Sequence, residues 1–516
     1  MTDFLKQNRE IIQKRFPRLL PFLDKKSPSA PLSIKQSRSG LPVPCLKEKD
    51  RDYPLHSLFD PVKEGEKLLR NYSREGVKVF IGLGGAYQIL PFLEGSTILI
   101  IEPDPAVLTK LLTLMDYSKI LVSPRVYLFC GNDNREISQW LGSHYIPLLD
   151  GNLDVLPLRS YRQEGLIKQI QREIQEGINE ISADCSTQKK FGKQWQRNII
   201  NNCDRALAAP FSPDNFNHYD KAMIAAAGPG LEKHLTLMAE RPARTFLLSV
   251  DTALPTLLAQ GIVPDGIITI DPQPVSYLHF MRRLPPSCLI IADWGSPLPQ
   301  KIKERALFTT SGHPLCHHLL HEGKGSLMQL DSGGNVSQAA LSLLGRGNFK
   351  EITLLGADFS YPEGKPYCRE SYFYSWYSQR VSRLGTLENH MTQFVLARAE
   401  RDINEKESVY NSPLMKAYKK NLEVFLNNKG WAHHQKKDGL WRILPNAEPG
   451  PAKTIKQGDP TILPSYRKEL KMMVDKGNHS SSPISSTLLP LAYHFLEDDK
   501  SKALKKAAQY TLDLLN

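Results

Sequence analysis

Residues 222–271 read AMIAAAGPGLEKHLTLMAERPARTFLLSVDTALPTLLAQGIVPDGIITID. The apolar run 222–227 ends in the turn Gly228-Pro229-Gly230, and an amphipathic segment follows. A second apolar run, 246–250, stops at Asp251, and a third, 266–270, stops at Asp271. Strand, glycine turn, helix, strand, acid, helix, strand, acid is the alternation of a parallel sheet with crossover helices. Such sheets gather their ligands at the carboxyl edge of the strands.

Glycine at 228 and 230 leaves no Cβ in the way, so a phosphate can approach the backbone N–H groups, and the following helix adds its positive N-terminal end. Many tight turns carry the same three residues for purely structural reasons. Asp251 and Asp271 likewise have two readings: binding groups at successive strand ends, or helix caps and turn formers.

Working outward, residues 331–361 read DSGGNVSQAALSLLGRGNFKEITLLGADFSY. Gly333-Gly334-Asn335 opens an amphipathic helix, with Ser332 as a candidate cap. The short apolar strand 352–355 ends in Gly356-Ala357-Asp358, again an acid at a strand terminus, and Tyr361 and Tyr367 follow in a loop.

These residues resemble the motility-associated factor glycosyltransferases, a bacterial family linked to flagellin glycosylation. Its central domain is shared with 6-hydroxymethylpterin diphosphokinase-like proteins. Gly228-Pro229-Gly230-Leu231 is similar to the family's Gly-Pro-Ser-Leu turn, with Gly230 in place of serine. Asp251 to Leu258 and Gly261-Ile262-Val263-Pro264-Asp265 resemble its acid, leucine-rich helix and Gly-Ile-x-Pro-Asp. Gly333-Gly334-Asn335-Val336 resembles its Gly-Gly-Ser-Val helix start, with Asn335 in place of serine, and Leu354 to Asp358 resembles its Leu-Ile-Gly-x-Asp strand end. Upstream, His56 to Pro61, and Phe191 to Trp195 with Asn198 and Asn202, extend the resemblance over most of 50–370. It weakens from Tyr372 onward.

The resemblance implies an α/β fold: a Rossmann-like amino-terminal domain, a central doubly wound, sialyltransferase-like parallel-sheet domain and a helical carboxyl-terminal region. It implies transfer of a nonulosonic, sialic-acid-like sugar from a CMP-activated donor to Ser or Thr of flagellin, in support of flagellum assembly and motility. The CMP-sugar is then a substrate, no cofactor is tightly bound, and Mg²⁺ is left open as a co-ion. In that reading Gly228, Pro229, Gly230 and Leu231 hold the donor phosphate, Asp251 and Thr252 meet ribose or base hydroxyls, and Asp265 belongs to the same binding set. Ser332, Gly333, Gly334 and Asn335 add donors at a second helix start. Asp271 and Asp358 orient the sugar or take the acceptor proton, Tyr361 or Tyr367 assists departure of the phosphate, and His390 is a further candidate base by residue type. Two alternatives stand beside it. One is an ATP- and Mg²⁺-dependent diphosphokinase using Asp251, Asp265 and Asp271. The other is a flagellin-binding scaffold without turnover.

The rest of the chain divides into a leader (1–70), a Rossmann-like domain with a helical link (71–205), the central domain (206–400) and a mainly helical region (401–516). The leader includes a Pro/Ser/Lys-rich stretch at 25–52 that reads as extended and partly mobile. The run 77–83 with Gly82-Leu83-Gly84-Gly85 resembles a dinucleotide or methyltransferase turn. Tyr87 stands where the third glycine of GxGxxG belongs, and Glu102 follows Gly82 at ribose-binding spacing. Seven scattered cysteines without a CxxC suit reduced thiols, and no run approaches the ~20 apolar residues of a membrane helix, so a cytoplasmic enzyme is expected. The net charge of +12 is spread in pairs such as Lys189-Lys190, and no nucleic-acid-binding motif accompanies it. His313, His317 and His321 would share a helical face at zinc-like spacing. A solvated, partly packed helix is the better reading of them, and no metal is expected there. The aromatic run Tyr372, Phe373, Tyr374, Trp376 and Tyr377 reads either as core or as a stacking surface.

Overall fold

The structure, a computed structural model, describes residues 4–24, 30–48, 51–131, 134–158, 161, 164–280, 284–402, 408–446, 455–476, 484–496 and 499–516. It is a mixed α/β chain of two compact units, Met1–Thr187 and Gln188–Asn516. The division falls inside one continuous helix, Glu164–Ala208, and not at residue 205. The helical link expected at the end of 71–205 belongs to this one element.

In the first unit, β1 (Leu32–Gln36), β2 (Pro42–Glu48) and β3 (Arg51–Pro54) form an antiparallel sheet in which Leu32 lies opposite Leu46. This corrects the expectation of an extended, mobile leader; residues 25–29, 49 and 50 of that stretch lie outside the described residues. Pro42 opens β2 and Pro54 closes the edge strand β3, positions a sheet tolerates, while Pro44 lies within the central strand opposite Ile34. A second sheet is parallel throughout: β4 (Gly76–Ile81), β5 (Ser96–Glu102), β6 (Val126–Cys130) and β7 (Leu153–Pro157), in the order β6-β5-β4-β7. Its strands are apolar on both faces. Val77, Val79 and Ile81 pack with Trp140 and Ile174, while Phe80 and Ile100 pack with Leu108 and Leu112.

The second unit is built on an eight-stranded sheet. β8 (Lys221–Ala225), β9 (Thr245–Val250), β10 (Gly266–Thr269), β11 (Leu289–Asp293), β12 (Ala306–Thr309) and β13 (Glu351–Leu355) are parallel. Three short strands, β14 (Tyr361–Pro362), β15 (Glu400–Arg401) and β16 (Val409–Asn411), form a small separate sheet. The hairpin β17 (Ala432–Gln435) and β18 (Trp441–Leu444) completes the large sheet, in the order β12-β11-β10-β9-β8-β13-β18-β17, with β18 antiparallel to β13. The region after 401 is therefore not a helical appendage. Trp441 and Ile443 alternate with exposed residues along β18, and that period-2 pattern buries one face against the central core. The helices of this region are Pro413–Asn428, Leu463–Lys476, Ser485–Phe495 and Lys500–Leu514.

β8 to β12 step across the sheet in one direction, and β13 lies on the other side of β8. The connections leaving β8 and β13 therefore diverge, which is where a doubly wound sheet opens a crevice at its carboxyl edge. The nine-residue helix Val336–Leu344 runs into β13 and packs over β8, β9 and β10, which brings its N-terminus to that same edge.

Candidate functional site

The glycine turn sits at the crevice between β8 and β13, and the protein fills it. Gly230 N–H donates to Asp358 Oδ2 at 3.0 Å, Gly228 N–H to the Gly356 carbonyl at 2.9 Å, and Leu231 N–H to the Gly228 carbonyl at 3.0 Å; Pro229 has no N–H. A Cβ on Gly228 would lie 2.1 Å from Asp358 Oδ2, and one on Gly230 would lie 2.3 Å from the Asp438 carbonyl oxygen. The glycines are thus required, but by an internal carboxylate. The phosphate cradle expected of Gly228 to Leu231 lacks free donors, because every N–H it has is already directed at an acceptor within the unit. Burial pushes the Asp358 carboxyl above its ordinary range, against the bond from Gly230.

At the next two strand ends the acids divide. Asp251 is 1% exposed and saturated. Oδ1 accepts from Thr252 N at 2.7 Å and from Thr252 Oγ1 at 3.0 Å, and Oδ2 accepts from Thr269 Oγ1 at 2.7 Å. Asp251 and Thr252 therefore tie the edges of β9 and β10 together. Asp265 precedes β10 and accepts from Leu247 N at 2.8 Å and from Arg241 Nη2 at 3.3 Å. It lies at the opposite, amino edge of the sheet, which corrects its assignment to the binding set: the Gly-Ile-x-Pro-Asp motif starts a strand and does not finish one. Asp271 is different. It is half-buried, burial raises its carboxyl, and Asp251 and His279 stand within electrostatic range.

Around Asp271 the structure gathers groups that the sequence did not single out. His279, on the segment Pro274–Phe280, is 3% exposed with Nδ1 buried and without a hydrogen-bond partner, and its ring meets Tyr372 edge-on at 4.9 Å. The hydroxyls of Tyr367 and Tyr372 are hydrogen-bonded to each other, and both tyrosines feel Asp271. Tyr418 comes from the helix Pro413–Asn428 and lies in electrostatic range of Asp271 and Tyr361. The one sequence signal for His279 was its position just after a strand-end acid. Tyr418 gave none, because it arrives from far along the chain.

The second glycine turn borders this group. Gly333 and Gly334 have φ of +50° and +88°, and the Gln338 amide passes directly over Gly333. Asn335 caps the helix by accepting from Gln338 N at 2.9 Å, so it does the structural work of the serine it replaces. Its Nδ2 is left buried without a partner, as is Gln338 Oε1. Gly333 N–H is held by Asp331 at 3.2 Å, and Ser332 Oγ lies 3.4 Å from Gly334 N.

Further along the edge, Asp293 ends β11. It is 5% exposed, accepts from Gly295 N at 2.7 Å, and is pushed up to about 6 by burial. His313 caps the helix Pro314–Glu322 by accepting from Leu315 N, and its Nε2 is buried without a partner. Burial pulls the imidazole down to about 3, so it is neutral. With His313 used as a cap and His321 paired to Glu322, the zinc-like spacing does not become a site. Among the described residues no three His, Cys, Asp or Glu side chains are grouped to hold a metal.

Tyr361 pairs through its backbone with Tyr410 and packs with Val395 and Ala399. His390 packs against Tyr377 with ring centroids 5.1 Å apart and tilted by 31°; the histidine set beside Asp271 is His279. The aromatic run is not simply core. Tyr372, Phe373, Trp376 and Tyr377, with Pro274, Val275, Leu278 and Phe394, enclose a cavity of about 430 Å³.

In the first unit the glycine turn after β4 is also closed internally. Leu83 N–H and the Tyr161 hydroxyl donate to Glu102, and Gly85 N–H donates to His56 Nε2 at 2.8 Å. Glu102 is fully buried and pushed up to about 7, so the ribose-spaced acid is a structural receiver for its own turn.

Residues 193–364 match the family model described as 6-hydroxymethylpterin diphosphokinase MptE-like. An uncharacterized protein of Treponema pallidum (strain Nichols) is 31% identical over 165 residues, which cover 32% of this chain and 79% of that protein. A second uncharacterized protein of the same organism is 30% identical over 118 residues, 23% of this chain and 42% of its own length. The solved structure of the MAf glycosyltransferase from Magnetospirillum magneticum AMB-1 is similar over 99% of this chain and 90% of that one, with a TM-score of 0.52 and 13% identity. At that identity the likeness concerns the fold.

Proposed function

Because the chain belongs to the MptE-like family of the motility-associated factors, we propose that its second unit is a glycosyltransferase acting at the carboxyl edge of the large sheet. The substrates we assign are a CMP-activated nonulosonic sugar as donor and a Ser or Thr hydroxyl of flagellin as acceptor, with a role in flagellum assembly. The observation that carries this reading is a set of orphaned polar atoms. His279 Nδ1, Asn335 Nδ2, Gln338 Oε1 and His313 Nε2 are all buried without a hydrogen-bond partner, and all follow the carboxyl ends of the parallel strands. Buried polar groups are normally satisfied. Such a row of donors and acceptors along one edge suits a polar, hydroxyl-rich ligand.

In this reading the acceptor oxygen attacks the anomeric carbon while the bond to the donor phosphate breaks and its electron pair leaves with the phosphate. Asp271 takes the acceptor proton, since burial makes its carboxylate a stronger base than a solvated one. The Tyr367 hydroxyl donates to the Tyr372 oxygen, which leaves the Tyr372 hydroxyl to donate to the leaving phosphate. Asn335 and the helix start behind it supply donor contacts in place of the closed Gly228 turn. Asp358 becomes an organiser of that turn.

A diphosphokinase site fits these residues less well. Asp251 has both oxygens engaged and Asp265 lies at the other edge, so the expected magnesium carboxylates do not come together. Thermal-shift titration with CMP, UDP and ATP, each with and without Mg²⁺, tests the assignment. Stabilisation by CMP that is lost in Asn335→Ala supports it. Stabilisation by ATP with Mg²⁺ alone replaces it with the kinase, and silence toward all three removes the donor site. The seven cysteines are free, and among the described residues no helix is long and apolar enough to cross a membrane. We place the enzyme in the cytoplasm, where unpaired thiols persist.

A further inference from the structure

Away from the carboxyl edge, the second unit holds a cavity of about 720 Å³ between helices. Leu463, Pro464, Arg467, Lys468 and Lys471 line it from the helix Leu463–Lys476, Asp204 from the helix Glu164–Ala208, Leu514 from the helix Lys500–Leu514, and Lys303 from the short helical turn Gln300–Lys303. Residues four apart on a helix stand one above the other, so 463, 467 and 471 form one row and 464 and 468 the next. Two residues beyond Lys303, Arg305 donates to the Cys288 carbonyl just ahead of β11 at 3.1 Å. That end of the cavity therefore lies by the amino edge of the sheet, and Asp271 lies at the other edge.

The lining carries four cations and one carboxylate. The carboxylate is already engaged: Asp204 pairs with Lys303 at 3.4 Å, and Lys303 is also fixed on the Asn201 carbonyl. Glu469, the one acid between 463 and 471, faces His318 at 3.8 Å and does not line the cavity. Arg467, Lys468 and Lys471 have no ion-pair partner among the described residues. Arg467 bonds the neutral Asn516 side chain through Nη2, and its Nε is buried without a partner. Like charges gathered on one helix face repel, and a buried donor is normally satisfied. Both facts suit an anionic ligand.

We propose that this cavity binds a small organic diphosphate, of the nucleoside diphosphate class, at a site separate from the carboxyl edge. Three uncompensated cations call for a ligand with two or more negative charges, which a diphosphate carries and a single carboxylate does not. Arg467 Nε supplies a charged donor to a phosphate oxygen, and Lys468 and Lys471 add point charges beside it. The rest of the wall is apolar: Leu463, Pro464 and Leu514, joined by Ile200 and Leu515, would cover a base. The volume suits such a ligand, since small-molecule sites span about 300–1,000 Å³. A protein or nucleic-acid partner would need a larger face than these walls give. The inference does not depend on the glycosyltransferase reading.

The test is calorimetric titration of the full chain with ADP, inorganic pyrophosphate and adenosine, each in the presence of excess CMP so that the carboxyl edge is not counted. Lys468→Glu and Lys471→Glu change exposed side chains, so folding is kept. Lys505→Glu makes the same change of charge on an exposed side chain that does not line the cavity. ADP should saturate one site, about tenfold tighter than pyrophosphate or adenosine, and each cavity variant should weaken it about tenfold or more while Lys505→Glu changes it less than about twofold. Added salt should weaken it as well. Silence toward ADP, pyrophosphate binding as tight as ADP, or an equal loss in Lys505→Glu overturns the proposal, as does an acidic peptide that binds in a Lys468-dependent way where ADP does not. CMP-induced stabilisation reports the carboxyl edge by itself. Its absence with Lys468-dependent ADP binding retained would strike the donor assignment and leave this site standing.

Discussion

The carboxylate of Asp358 receives the backbone N–H of Gly230 at 3.0 Å, so the glycine turn at the centre of the large sheet holds an anion that belongs to the protein. The turn retains the geometry of an anion site, with a helix-like segment behind it and no Cβ in the way, yet β13 supplies the occupant. This links two strands that are neighbours in the sheet and 128 residues apart in sequence.

Substitution at Gly228 is therefore a stability experiment. Its φ of −71° is ordinary, so backbone strain is not the issue. Space is, since a Cβ meets Asp358 Oδ2 at 2.1 Å and the Gly356 carbonyl oxygen at 2.5 Å. Gly228→Val is expected to lower stability by about 3 kcal/mol or more through overpacking, read as a lower urea midpoint. The double variant with Asp358→Ala should recover part of the loss. A wild-type midpoint in Gly228→Val would contradict the packing described.

Asp251 and Asp271 should separate cleanly. Asp251→Ala leaves Thr252 and Thr269 without their acceptor in a closed environment, a loss of about 2–4 kcal/mol, with donor affinity changing only as folding does. Asp271→Asn keeps the shape and removes the base. Transfer should fall by about 10²–10⁴-fold while the CMP-induced shift in melting temperature persists. Equal effects of the two substitutions on stability and on transfer would remove the distinction.

In the first unit, Glu102 imposes a pH dependence. Its folded value of about 7 stands above the ordinary 4.5 because burial penalises the charged form. The folded state therefore binds an extra proton between those values, and stability present below pH 4.5 declines as pH rises through 7. The span is on the order of 3 kcal/mol. Glu102→Gln, neutral throughout, should flatten the melting-temperature profile between pH 5 and about pH 8. An unchanged slope would place the titration elsewhere.

The sequence displayed the parallel strands because each is a short apolar run punctuated by a glycine or an acid, and those signals are local. It could not display whether an acid looks into the crevice. Asp251, Asp271 and Asp358 look alike as strand-end aspartates, but one is consumed by two threonines, one by a glycine N–H from another strand, and one accepts only from the nearby Gln273 and stands beside His279. That sorting depends on partners from other strands. Asp265 misled for a simpler reason, since the same dipeptide Asp-Gly can close one strand or open the next. His279 left only its place after a strand-end acid and Tyr418 left no signal, because a histidine in an irregular segment and a tyrosine on a distant helix meet only in three dimensions.

The hairpin β17–β18 was likewise missed, and it yields the most direct test of how the site is held. Trp441 is 1% exposed, donates from Nε1 to the Ala357 carbonyl at 3.2 Å, and meets the Phe359 ring at 6.0 Å. The Ala357 N–H in turn donates to the Gly439 carbonyl at 3.0 Å. The hairpin thus brackets the residue before Asp358 from both sides and fixes the acid in the glycine turn. Trp441→Ala removes a fully buried ring, at a cost of about 3–5 kcal/mol, and also releases the strand end that carries Asp358. Hydrogen exchange should then show Gly230 N–H losing protection along with β18, while β10 to β12 keep theirs. If Gly230 stayed protected in that variant, the hairpin would be an accessory edge, and the hold on Asp358 would come from β8 and β13 alone.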